Sequence, residues 1–192
     1  MKKIIIGSLV GGLILFIWGF LSWVVLPVHF QSFHYTPAQD SIMKSLADAN
    51  LESGTYFIPY IDNREGGFYD PKFQAEMKKH HDTMMGKPMA TINYIKAGMH
   101  DDPMTMGMGF ILNLFSAFCA ALLLAAASAK TNSFFSRWWL VMLIAVILCT
   151  SGPLLDWNWM GMPWHYIKGI IFDNMIGWGL CGVWLAWYFG RE

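Results

Sequence analysis

His165, Gly169, Asp173 and Gly177 follow one another at steps of four, a spacing that places all four on one helix face. The apolar run 167–190 holds the last three, and its only other charged residue is Lys168 near its start. Asp173 stands five residues beyond Lys168, roughly 7.5 Å further along a helix. A carboxylate inside a bilayer is unfavourable by up to roughly 3 kcal/mol at the centre and by less near the interface. Asp173 must therefore face other helices, paired or hydrated. Asn113 lies at a comparable depth in an earlier apolar run, so an Asn113–Asp173 hydrogen bond is expected. An intramembrane acid is a functional candidate by default, here for the passage of protons or a small solute. The competing reading is that the two polar groups set helix register.

The other residues able to do chemistry lie mostly outside the apolar runs. All 6 histidines do: His29, His34, His80, His81, His100 and His165. His29 and His165, with Asp156, form a candidate metal set at one membrane face, where imidazole and carboxylate suit zinc, copper or iron. Against it, loops collect polar residues simply because spans cannot hold them. Met84, Met85, Met89, Met99, Met104, Met106 and Met108 raise a copper reading, since thioethers favour the monovalent ion. Yet Met104, Met106 and Met108 alternate by two where a helix begins, and methionine is an ordinary adaptable packing residue. With no histidine inside a run, a bis-histidine haem has no ligands. Cys119, Cys149 and Cys181 each lie within an apolar run, far from basic neighbours and without a C-x-x-C spacing, and read as packing residues.

The elements that must position these residues follow from composition. Of 192 residues, 55% are hydrophobic and 14% charged, against about 25% charged in soluble domains. The 13 basic and 13 acidic residues cancel and form no basic block, so nucleic acid is excluded as a partner. Apolar runs predict transmembrane helices over 1–27, 106–129, 138–155 and 167–190, the first an uncleaved signal anchor because its run exceeds a signal-peptide core. The fold class is thus a membrane all-α four-helix bundle. Gly7 and Gly11, and Ser8 and Gly12, form ridges that predict close helix packing. Lys2, Lys3, Lys130, Arg137 and Arg191 flank the runs on one side, which places both termini in the cytoplasm. Trp23, Trp157, Trp159 and Trp164 mark the outer interface, and Trp138, Trp139, Trp184, Trp187 and Tyr188 the inner one.

Residues 28–105 form a small α+β extracytoplasmic domain between the first two spans. Thr36-Pro37-Ala38-Gln39 reads as a capping box opening a helix. Gly54 leads into a strand over Thr55–Ile58, Asp62 to Gly67 turns, and Asp70-Pro71 caps a second helix reaching toward His80. Met89 to Ile95 alternates as a second strand, with Ala90, Ile92 and Tyr94 on one face. So small a unit is expected to rest on the helix ends or on a partner.

Trp23-x-x-Leu26-Pro27-x-His29, Gly54-Thr55-Tyr56-Phe57-Ile58-Pro59 and Pro163-Trp164-His165 together resemble a group of small, uncharacterised bacterial inner-membrane proteins with four spans. The resemblance implies that layout, a bacterial cytoplasmic membrane and no particular activity. With no nucleotide loop and no nucleophile constellation in the sequence, the expected function is non-enzymatic. It is that of a binding or accessory subunit acting through its outer domain and helix ends, in contact with the bilayer and with a homo-oligomer or membrane-complex partner. The alternatives are the outer-face metal site and passage along Asp173.

Overall fold

The structure is a computed structural model that describes residues 1–61, 69–98, 103–127 and 133–191. The turn expected at Asp62 to Gly67, and Met99, His100, Asp101, Asp102 and Lys130, lie outside the described residues. The chain divides into a helical unit, Met1–Tyr35 with His100–Glu192, and a small unit, Thr36–Met99.

Helix α1 (Lys2–Phe20) continues into a π-helical turn, Leu21–Val25, closed by the Leu26 amide donating to the Leu21 carbonyl. Leu26 is extended, as the residue before a proline is driven to be. A 3₁₀ turn then spans Pro27–His29. Three further long helices follow the small unit: α4 (Pro103–Ala127), α5 (Phe134–Ser151) and α7 (Trp164–Phe189), with the short α6 (Pro153–Met160) between the last two. Among the described residues, four helical stretches are long and apolar enough to cross a membrane: Lys2–Val25, Pro103–Ala127, Phe134–Met160 and Trp164–Phe189.

Local signals move several ends. Helix α5 starts at Phe134, ahead of Trp138, because Ser133 and Ser136 form a capping box that satisfies the first turn. It stops at Ser151, ahead of Leu155, since Gly152 leaves helical geometry and Pro153 opens α6. Pro163 likewise starts α7 at Trp164, earlier than Ile167, and Pro103 heads α4.

Helix α1 packs along both α4 and α7, and α5 packs on α7, whereas α4 and α5 meet far less. The arrangement is an arc, α4–α1–α7–α5. Small residues make its seams. A Cβ on Gly12 would lie 2.7 Å from the Cα of Leu114, and one on Gly11 3.1 Å from Cys181 Sγ. The core holds Ala117, Ala120, Ala121 and Leu124 of α4, Val141 and Ala145 of α5, and Cys181 and Leu185 of α7. Two indoles lock the seams, Trp184 donating to Gly7 O and Trp138 to Gly179 O, both at 3.1 Å. Lys3 Nζ donates to Arg191 O, and Arg137 Nε donates to Ala186 O, so basic side chains collect at one end. His29 marks the other end.

The small unit runs α2 (Gln39–Asp48), β1 (Gly54–Ile58), α3 (Pro71–Met84), β2 (Ala90–Tyr94). The strands pair antiparallel with Tyr56 opposite Ile92. The Asp70 cap forms as its sequence requires, its carboxylate accepting from the Lys72 and Phe73 amides. The other capping box does not form: α2 begins at Gln39 after Ala38, and Thr36 Oγ1 accepts from the Ala38 amide in a local turn instead. Side-chain turns of this kind compete with helix caps.

Candidate functional site

The α7 face carrying His165, Gly169, Asp173 and Gly177 meets the chain that leaves α1. The π turn widens α1 by one residue and re-aims Ser22, fully buried, at α7. Its hydroxyl donates to Asp173 Oδ1. The 3₁₀ turn after Pro27 then folds His29 back, and His29 Nε2 lies 2.8 Å from Asp173 Oδ2. An ionised carboxylate only accepts, so Nε2 carries the proton in that bond. Both carboxylate oxygens are thereby engaged, which offsets their loss of water.

His29 is held on every side. Its ring stacks on Trp23 with centroids 3.6 Å apart and planes 7° from parallel. Gly169 lies against its Cε1–Nδ1 edge: a Cβ there would come within 2.9 Å of His29 Cε1. Nδ1 sits 3.1 Å from Ser32 Oγ. Gly177 makes similar room for a ring further along the face, where a Cβ would approach Trp18 Cδ1 to 2.9 Å. At the near end of the face, the rings of His165 and His34 lie with centroids 4.4 Å apart.

Ser32, His29 and Asp173 thus line up as the members of a hydrolase triad do, a constellation that the spacing of these residues conceals, but with the ring reversed: the hydroxyl faces Nδ1 and the carboxylate Nε2. Such a triad needs an accessible hydroxyl and room for a tetrahedral intermediate. Ser32 and His29 are only 5% and 7% exposed, and the ring packs on both Trp23 and Gly169. The line of residues is a lock between α1 and α7. A fluorophosphonate probe is therefore expected to leave Ser32 unmodified in the intact protein, read by peptide mass spectrometry; a Ser32 adduct would reassign the site as catalytic.

Beside this lock lies a cleft of about 270 Å³. All four long helices contribute to it: Trp18 of α1, Asn113 and Ser116 of α4, Leu148 of α5, and Asp173 and Asn174 of α7. The expected Asn113–Asp173 hydrogen bond is replaced. Asn113 Nδ2 donates to Gly109 O at 3.0 Å, back along its own helix, while Asp173 turns to α1. The two share the cleft walls only. Trp18 Nε1 is buried and has no hydrogen-bond partner. Indole is a donor only, so whatever satisfies it must bring an acceptor.

The residues of the candidate metal set do not gather. His29 is occupied by Asp173, His165 neighbours His34, and Asp156 is exposed on α6. Among the described residues, no three His, Cys, Asp or Glu side chains are grouped to hold a metal ion. The cysteines are unbridged, Cys149 and Cys181 buried and Cys119 exposed.

Fold and site define a chain with four helices suited to crossing a membrane and a buried Ser–Asp–His lock beside a polar cleft. No protein-family model matches it, and no curated protein or solved structure is significantly similar to it.

Proposed function

We propose that this chain is a multi-pass protein of a bacterial inner membrane, with both termini in the cytoplasm. It acts by binding, as a non-enzymatic accessory protein, and the polar cleft is its membrane-embedded binding site. Large apolar side chains stay exposed along the flanks of the long helices, among them Leu9, Leu13 and Ile17 of α1 and Ile111, Leu112 and Phe115 of α4. Helices apolar all round call for lipid or protein on every side. The basic cluster of Lys3, Arg137 and Arg191 at one end, against Trp157, Trp159 and Trp164 toward the other, supports the orientation.

The observation that carries the binding role is a polar cleft built from four helices, with the buried and unpartnered Trp18 N–H in one of its walls. A buried donor without an acceptor costs about 1–3 kcal/mol, which a ligand recovers on binding. The cleft contains one acid and no base among its lining residues. It therefore selects a neutral head with acceptor oxygens and disfavours anions. Asp173, with both oxygens engaged and its side chain 16% exposed, holds the cleft wall in place.

Protein labelled with ¹⁵N in detergent micelles, titrated with a short-chain diacylglycerol, tests this. The Trp18 indole signal, assigned by its loss in Trp18→Phe, is expected to shift saturably with the diacylglycerol and to stay in place with an alkane of equal length. An unmoved signal, or equal shifts with both, would refute the assignment.

A further inference from the structure

The small unit contains a second groove, of about 380 Å³, whose walls are unusually rich in soft donors. Met77, His80, His81 and Met84 stand at positions i, i+3, i+4 and i+7 of α3, one continuous helix face. All four line the groove. After α3 the chain reverses through Gly86, whose φ of +75° suits a residue without a Cβ. The reversal, tied by the Lys87 amide donating to Met84 O at 3.0 Å, brings Met85 and Met89 onto the same groove before β2 begins.

Four thioethers and two imidazoles converge where hydrophobic packing does not explain them. Met77, Met85 and Met89 are 39%, 68% and 53% exposed, whereas a packing role would bury them. The buried apolar side chain of this unit, among the described residues, is Phe73. Carboxylates and thiols do not line the groove, which removes the hard ligands that magnesium, calcium and manganese require and the thiolates typical of structural zinc. Thioether with imidazole is a donor set for a soft monovalent ion. Methionine, unbranched and with three rotatable bonds, can close around an ion much smaller than the open groove.

We propose that the groove between the α3 face and the Met85–Met89 turn is a binding site for copper(I), with Met77, Met84 and Met89 as thioether ligands and His80 or His81 as the imidazole. Of the methionines that suggest copper in the sequence, Met84, Met85 and Met89 meet here, while Met104, Met106 and Met108 belong to α4. Met77 and the two histidines complete the set. The site is independent of the cleft and of membrane placement, and requires no change of oxidation state once copper(I) is bound.

The test uses the full chain in detergent with Cys119→Ser, which removes the exposed competing thiol, and ¹³C-methyl-labelled methionine. Copper(I) is added anaerobically against a chromogenic chelator. At about one equivalent the methyl signals of Met77, Met84 and Met89 are expected to move together while that of buried Met142 stays in place. Met77→Leu with Met84→Leu, isosteric and at an exposed and a half-buried position, should weaken binding by more than the roughly tenfold that loss of even an outer partner costs a metal site. His80→Gln with His81→Gln should weaken it as well. Unmoved methionine signals at that stoichiometry, equal affinity in the double leucine variant, or zinc(II) competing on equal terms would each overturn the assignment.

Discussion

Asp173→Ala is expected to lower the stability of the detergent-solubilised protein by about 1–3 kcal/mol, the cost of leaving buried polar groups without their hydrogen-bond partner. The carboxylate joins Ser22 and His29 to α7. Without it, a fully buried hydroxyl and the Nε2 of an imidazole stacked on Trp23 both lose their partner. His29→Ala leaves the converse problem, an acid still bonded to Ser22 but stripped of its imidazole. Because each single change already breaks the same lock, the double variant should cost well under the sum, with a coupling of roughly 1.5 kcal/mol or more. Equilibrium unfolding in mixed micelles of all four proteins measures this. Additive effects would mean that the pair does not hold α1 to α7.

Gly12→Ala is the second large effect, and its sign is set by backbone. The new Cβ would stand 2.7 Å from Leu114 Cα and 2.9 Å from Leu114 N. A backbone cannot rotate away as a side chain can, so α1 must separate from α4. Overpacking of this kind costs about 1–3 kcal/mol, more than the helix propensity gained, about 1 kcal/mol for glycine to alanine. Gly19→Ala, on the same helix, meets nothing within 4 Å and should be neutral or stabilising. A midpoint lowered by Gly12→Ala and not by Gly19→Ala would establish that the seam, and not glycine as such, matters. Equal midpoints would refute it.

The four-residue rhythm of His165, Gly169, Asp173 and Gly177 is legible because helix geometry alone decides which side chains share a face. What faces them is not. Neither the π turn nor the 3₁₀ turn after Pro27 has a strong signal, and between them they decide that Ser22 and His29 reach Asp173. The one available hint is Pro27-x-His29 directly after an apolar run, where a turn can fold a polar ring back against helix ends. Position along the chain therefore groups His29 with His165 and Asp156 as a metal set, whereas its partner is the acid that depth alone matches to Asn113. Spacing sets Met104, Met106 and Met108 apart but offers no reason to join Met84, Met85 and Met89 to Met77; the helix face bearing Met77 and the turn at Gly86 do so.

Chain-local information determined the four apolar stretches, the glycine seams on α1, the Asp70 cap and the two short strands, because run length, residue size and capping act over a turn or two. Tertiary structure alone decided the lock, the cleft and the soft-donor groove. His29 and Asp173 are 144 residues apart, and no local preference specifies a hydrogen bond over that separation. It forms when packed helices remove the competing water and leave the polar groups only one another within reach.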